Sequence, residues 1–271
     1  MNVPIQSSRH HDIATGRPRR LAAFTIIELL VVIGIIALLT TIGLPALKGF
    51  GKGTGMAGAQ RQMLQDLGLA RLSAINGRTT VYVVFVPTNV FDCIARVAPT
   101  DTRTRQQLTN LITAQYAAYA LLATRTVGDQ PGRWHPRYLS EWKRLPQGIL
   151  IPPYKFDPAL ASAPDPYLRS FPMATSPPLP FPTGKTLLSP VFPVPYIVFN
   201  SQGQLASGRD ELIPLAEGSI FFTKDQNGQY VYSKNDVPVI NPPLNYTNHF
   251  IRINWLTGRA SVDEATRPKF K

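Results

Sequence analysis

Few side chains in this sequence stand where chemistry needs them, and the most informative is an acid in an oily run. Glu28 is the one charge between Phe24 and Leu47. An ionised carboxylate at the centre of a membrane helix costs roughly 2.5 to 3.5 kcal/mol on insertion scales, so it needs a cationic partner or access to headgroups and water. The other candidates carry less. Cys93 is alone, which excludes an internal disulfide, a thiolate zinc site and a CxxC redox pair. His135 and His249 are the only histidines after Ala23, and no Gly-x-Ser-x-Gly elbow, HExxH pair or phosphate loop accompanies them. Asp225 and Asn227 with Asp236 lack the full spacing of a calcium loop. Arg259, Arg267, Lys269 and Lys271 form a basic C-terminal cluster, read either as a contact for DNA phosphates or as a solvated tail. No catalytic residue, cofactor or metal is expected.

The element that must position Glu28 is the apolar run itself. As a helix, Phe24 to Leu47 is about 36 Å long, enough to cross a hydrocarbon core of roughly 30 Å. Arg17, Arg19 and Arg20 precede it and hold the N-terminus cytoplasmic under the positive-inside bias, although Lys48 and Lys52 reduce the asymmetry. A secretory signal peptide also has a basic start and an apolar run, but its run is shorter and ends in a small-x-small cleavage site on the far side. Here the run flows into Leu44, Pro45, Ala46 and Leu47, and the small residues Ala22 and Ala23 lie on the arginine side. A cut between Ala23 and Phe24 creates an amine four residues before Glu28, at the same membrane depth in a neighbouring copy.

The run Arg19-Arg20-Leu21-Ala22-Ala23-Phe24-Thr25-Ile26-Ile27-Glu28-Leu29-Leu30-Val31-Val32 closely resembles the type IV prepilin and pseudopilin signature. The resemblance implies a leader over 1–23, cleaved by a prepilin peptidase that also methylates the new N-terminus, Phe24. It makes Glu28 the carboxylate of filament assembly and 24–47 the transmembrane assembly helix. Ala23 stands where the family usually has Gly. Pro45 and the glycines around it, from Gly43 to Gly55, predict a kink or melted segment, as in pilins, or simply the end of the membrane helix before a stalk. Asp66-Leu67-Gly68-Leu69-Ala70-Arg71-Leu72-Ser73-Ala74-Ile75-Asn76-Gly77-Arg78 further resembles the GspH/FimT branch of minor pseudopilins, and Phe250 to Val262, turning at Thr257-Gly258, is similar to that branch again. The likeness covers 17–87 and, more loosely, 196–262. It implies a structural, non-enzymatic subunit of a type II secretion pseudopilus. The subunit would sit in the inner membrane as a single-pass protein, its N-terminus cytoplasmic and its C-terminal domain periplasmic. Its partners would be other major and minor pseudopilins, the peptidase, the inner-membrane platform and membrane lipid. The alternative within the same resemblance is a minor type IV pilin that binds DNA through its basic C-terminus during uptake.

Composition sets the bounds on the remainder. A chain of 271 residues, 44% hydrophobic and 16% charged, is too apolar for disorder and too mixed for a polytopic membrane protein, and its net charge of +12 permits anionic partners. Met56, Gln60, Met63, Leu67, Ala70 and Ala74 recur at helical spacing, Asn76-Gly77 stops that helix, and Thr79 to Val86 is strongly β-prone, so 48–87 reads as an amphipathic helix and a first strand. Phe91 to Val97 is expected to return as a second strand. Over 88–195, an elaboration, the pattern predicts a helix from Gln106 to Thr124 capped by Thr100, Asp101 or Thr102. Fourteen of the 26 prolines fall between Pro146 and Pro195; Pro177 to Pro182 predicts an extended strip, for docking or merely a loop. Trp134, Trp142, Tyr138 and Tyr154 read as a recognition surface or a satellite core. Over 196–271 strands return at Tyr196 to Phe199, Glu217 to Thr223 and Tyr230 to Ser233, joined by Asn200-Ser201-Gln202-Gly203 and Asp225-Gln226-Asn227-Gly228. The whole predicts an α+β fold, a long N-terminal helix packed at its outer half on an antiparallel sheet.

Overall fold

The computed structural model describes residues 25–125, 128–130, 134–188, 192–230, 238–242 and 249–263, without the side chains of 41–54. The class is α+β with antiparallel sheets. Two units divide the chain, residues 1–48 and 49–271. Helix α1 (Ile26–Gly77) starts in the first and ends in the second. Among the described residues no helix is long and apolar enough to cross a membrane. The expected span 24–47 includes Phe24 and the side chains beyond Thr40, which lie outside them, as does the expected leader. The backbone stays helical through Pro45, so no melted segment occurs there. A proline inside a helix removes one donor and crowds one preceding carbonyl, a local loss that the turns on either side absorb.

In the second unit the elements are β1 (Val81–Phe85), α2 (Val90–Ala95), α3 (Thr102–Leu111), β2 (Ala118–Ala123), β3 (Arg137–Tyr138), β4 (Lys143–Arg144), β5 (Ile149–Leu150), β6 (Met173–Ala174), β7 (Val194–Phe199), β8 (Glu211–Glu217), β9 (Ser219–Phe221), β10 (Val239–Asn241), β11 (His249–Ile253) and β12 (Ala260–Asp263). They form a six-stranded sheet ordered β3-β2-β1-β7-β6 with β4 also on β2, a four-stranded sheet ordered β12-β11-β8-β5, and the pair β9-β10. Every pairing is antiparallel, with Val83 opposite Leu121 on one side and Ile197 on the other.

The first core forms because one stripe of α1 is apolar. Met56, Ala59, Met63, Leu67, Ala70 and Ala74 are buried against Val81, Val83 and Phe85 of β1, Leu121 of β2, Phe199 of β7, and Ile213 and Ile251 of the second sheet. Ala59 takes the place the pattern gave to Gln60, which is half-buried. The opposite face of the six-stranded sheet is covered too. Val84, Leu122 and Val194 pack there against Phe91, Ile94, Leu108, Ile112 and Phe181 of the central segment, making a second core.

Three expectations are corrected, the first two by that second core. Phe91 to Val97 is not a strand; α2 occupies it, capped by Asn89 accepting from the Asp92 amide at 3.2 Å, and Val90, Phe91, Cys93 and Ile94 share one buried helical face. The helix expected over Gln106 to Thr124 runs only from Thr102 to Leu111, with Asp101 as the cap accepting from the Thr104 amide at 3.0 Å. A 3-10 turn and Tyr116 at φ 62 then deliver the chain into β2, all six of whose residues are buried. A strand covered on both faces has no alternation to read. The strand expected from Glu217 to Thr223 is instead β8, starting at Glu211, and the short β9. Pro214 sits inside β8 beyond the reach of β5, which pairs no further than Ala216, so it has a partner strand on one side only, where a missing donor is tolerated.

Two polar connections fix the layers. Asp66, buried in α1, accepts from Tyr119 Oη at 2.7 Å and from Lys143 Nζ at 2.5 Å, while Gln62 donates to Tyr119 Oη at 3.1 Å and to the Arg144 carbonyl at 2.9 Å. At the end of α1, Arg71 Nε donates to the Thr257 carbonyl at 2.7 Å, and a Cβ on Gly203 would meet Ile75 Cδ1 at 2.6 Å. Gly258, at φ 62, is pressed so closely on the Gly203 carbonyl that no side chain fits. Gly258→Ala should therefore lower the unfolding free energy by about 2 kcal/mol or more, because left-handed strain and a backbone clash add. Urea unfolding of the variant checks this, and an unchanged midpoint would refute the close approach.

Candidate functional site

The chemistry-bearing position in the first unit is the head of α1. Thr25 is the residue before the helix and Glu28 lies in its first turn. Glu28 donates its amide to Thr25 Oγ1 at 3.2 Å; in return Glu28 Oε2 accepts from the Thr25 amide at 3.0 Å and from Thr25 Oγ1 at 2.9 Å. This is a reciprocal capping box, which satisfies two of the orphan donors at the helix start. Among the described residues no cation lies within ion-pair distance of Glu28, and Oε1 accepts no hydrogen bond. Thr25 thus aims the carboxylate along the helix start and leaves one oxygen for a partner.

Thr25, which bonds Glu28 on both its amide and its carboxylate, is the residue of this candidate site that reading for chemistry missed. Its signal is in the sequence: Thr-x-x-Glu ahead of an apolar run is the capping-box pattern. Below it the helix surface is bare. From Ile26, 86% exposed, to Leu39, 63% exposed, the large apolar side chains are uncovered on every side. A helix apolar all round is stable only inside an apolar surrounding.

The remaining candidates fall apart as sites. Ala23, Phe24, Arg267, Lys269, Lys271 and Asp236 lie outside the described residues. Arg259 is exposed in the β11–β12 turn, where its carbonyl accepts from the Asn254 amide at 3.0 Å. Asp225 accepts from the amides of Asn227 and Gln229 at 2.9 and 2.8 Å, so its carboxylate shapes a turn. Among the described residues no group of three or more His, Cys, Asp or Glu is placed to hold a metal ion. Cys93 is buried in the second core, and burial pushes its thiol well above the usual range, away from a reactive thiolate. His135 is exposed in the loop before β3, and His249 is exposed at the start of β11. The aromatic group divides: Tyr138 Oη donates to the Pro180 carbonyl at 2.9 Å and Trp142 Nε1 to the Pro182 carbonyl at 3.1 Å, so both hold down the proline strip, whereas Trp134 remains 43% exposed.

Besides the Asp66–Lys143 contact, the 49–271 unit buries two further opposite charges, Lys155 and Glu211. Lys155 is fully buried, donates to the Arg169 carbonyl at 2.6 Å and lies 4.6 Å from the centre of the Phe171 ring. It interacts electrostatically with Glu211, which is 3% exposed, has Arg209 Nε at 3.8 Å and leaves Oε1 without a hydrogen bond. Burial pulls the Lys155 ammonium down to about 8, partly opposed by Glu211, and pushes the Glu211 carboxyl up, opposed by Lys155, Arg209 and Arg169. Phe171 belongs to the first core, so Lys155 lies against that core, and the pair reads as structural. No family model matches the chain, and neither a curated protein nor a solved structure matches it.

Between about 8 and the ordinary lysine value of 10.5, the unfolded chain holds a proton at Lys155 that the folded chain has released. The Lys155 contribution to stability must rise with pH across that window, while the buried Cys93 thiol and the hydroxyls of Tyr82, Tyr116, Tyr119 and Tyr138, all pushed up by burial, act in the opposite direction toward its upper end. Below it both states are protonated and the cost of burying the charge is fully present. Chemical unfolding from pH 8 upward should give the native chain a more positive slope of stability against pH than Lys155→Met; an identical slope in the variant would contradict the assignment.

Proposed function

We propose that this chain is a minor pseudopilin of the GspH/FimT kind, a structural subunit of a type II secretion pseudopilus. A prepilin peptidase cuts between Ala23 and Phe24, and the helix from Phe24 anchors the subunit in the inner membrane before drawing it into the filament. The 49–271 unit then decorates or caps the shaft on the periplasmic side. The observation that carries this reading is the head of α1, where a carboxylate aimed by Thr25, with one oxygen free, begins a helix whose apolar residues to Leu39 are bare. A like helix from a second subunit, packed alongside, covers that surface. The Phe24 amine of that subunit meets the free oxygen, and a charge-assisted hydrogen bond in a low-dielectric bundle is about twice as strong as a neutral one. The stripe from Met56 to Ala74 serves a separate purpose, anchoring the folded unit to the same helix.

Glu28→Ala should leave the subunit in the membrane fraction while removing it from filaments, because the apolar run is intact and only the pairing acid is gone. Co-purification with the major subunit reads this directly. A variant that co-purifies as well as the native chain would count against the proposal.

A further inference from the structure

The 49–271 unit carries a second feature that owes nothing to the assembly helix. Arg103 and Gln107 of α3, the segment Trp134 to Tyr138, and the loop Thr183 to Thr186 enclose a cavity of about 690 Å³, a volume typical of small-molecule sites. Its walls are fixed. The His135 amide donates to the Thr124 carbonyl at 3.1 Å, the Phe181 amide to the Thr186 carbonyl at 2.8 Å, and the Thr183 and Thr186 hydroxyls are 2.8 Å apart. Gly184 lies so near the Pro136 carbonyl that an added Cβ would stand 2.6 Å from its oxygen.

The lining is one-signed. Among the described residues, Arg103, Arg137 and Lys185 face the cavity with no aspartate or glutamate in its walls and none of the three forms an ion pair, Arg103 alone interacting with a nearby carboxylate, that of Asp101. One aromatic face is free. Tyr138 and Trp142 pack on each other at 5.4 Å and Trp142 packs on Phe181 at 5.3 Å, whereas the Trp134 indole is open to the cavity mouth. A second hollow of about 790 Å³ adjoins the first, sharing Gln107, Tyr138, Thr183 and Gly184 with it. There Arg144 is already spent on Asn110 and Thr113, and Glu141 offsets its charge.

The geometry points to a binding site for an acidic oligosaccharide, with a uronate ring in the first hollow and a neighbouring ring in the second. Guanidinium groups match carboxylates in a bidentate fork, which a sugar acid supplies. The C–H face of a pyranose is electropositive and suits the negative face of the exposed Trp134 indole. Single-stranded nucleic acid fits less well, because it relies on successive stacking platforms and this site offers one.

Calorimetric titration of the full chain in lipid nanodiscs with trigalacturonate tests the assignment, with maltotriose, an oligothymidylate and tetraglutamate as comparators. Saturable one-site binding of trigalacturonate is expected, with no binding of the neutral maltotriose. The double variant Arg137→Gln with Lys185→Gln should weaken it by about tenfold or more through lost charge-assisted bonds. Trp134→Ala should weaken it too while leaving its salt dependence in place. All three side chains are exposed, so both variants should keep the native thermal midpoint, which separates lost binding from lost folding. Absence of saturable binding, native affinity in both variants, or tighter binding of the oligothymidylate or tetraglutamate would overturn the proposal.

Discussion

Helix α1 has to satisfy two surroundings along one backbone. Over Ile26 to Leu39 its large side chains are apolar on every side and bare. Over Met56 to Ala74 one stripe is apolar and buried while Leu69 and Leu72 stand exposed beside it. Water suits the second arrangement and penalises the first, at roughly 25 cal/mol for each Å² of apolar surface left wet. The folded unit is therefore built on the part of the helix that water tolerates. The bare part sets the demand that the proposed membrane and filament would meet.

The same helix explains why the unit needs polar connections as well as oil. Asp66 reaches from the buried stripe to Tyr119 in β2 and Lys143 in β4, tying the helix to the sheet and to the central segment at once. A carboxylate taken from water is tolerated when both oxygens are bonded, and here they are. At the far end Arg71 and the Gly203–Gly258 contact bring two turns onto the helix, so the β11–β12 hairpin is registered against α1 by backbone rather than by side-chain bulk. The central segment is structural in the same sense. It closes the second face of the six-stranded sheet, and by doing so it creates the rigid cationic cavity beside α3.

Much of this frame was legible from residue order. The stripe of α1, its stop at Gly77, the turns at Gly203 and Gly228 with positive φ, and the β11–β12 hairpin all follow from local pattern and turn chemistry. What escaped has a physical reason. The continuous apolar run Ala118 to Ala123 looks alike as helix or strand until a second layer is known to cover it, and α2 is too short to show a full period. At the site, Glu28 stood out because a lone acid in an apolar run is costly, whereas Thr25 was passed over because its role is to bond the backbone and aim a neighbour. The cationic cavity was beyond reach, since Arg103, Arg137 and Lys185 come from three separated segments that only the fold brings together.

In the proposed filament, Glu28 is matched to an amine made by cleavage. Intact-mass and N-terminal peptide mass spectrometry of the protein isolated from membranes addresses it without any substitution. The expected mature chain begins at a methylated Phe24. A mature protein that still carries Met1 and the arginines before Phe24 would contradict it, because the amine that Glu28 is proposed to meet would never form.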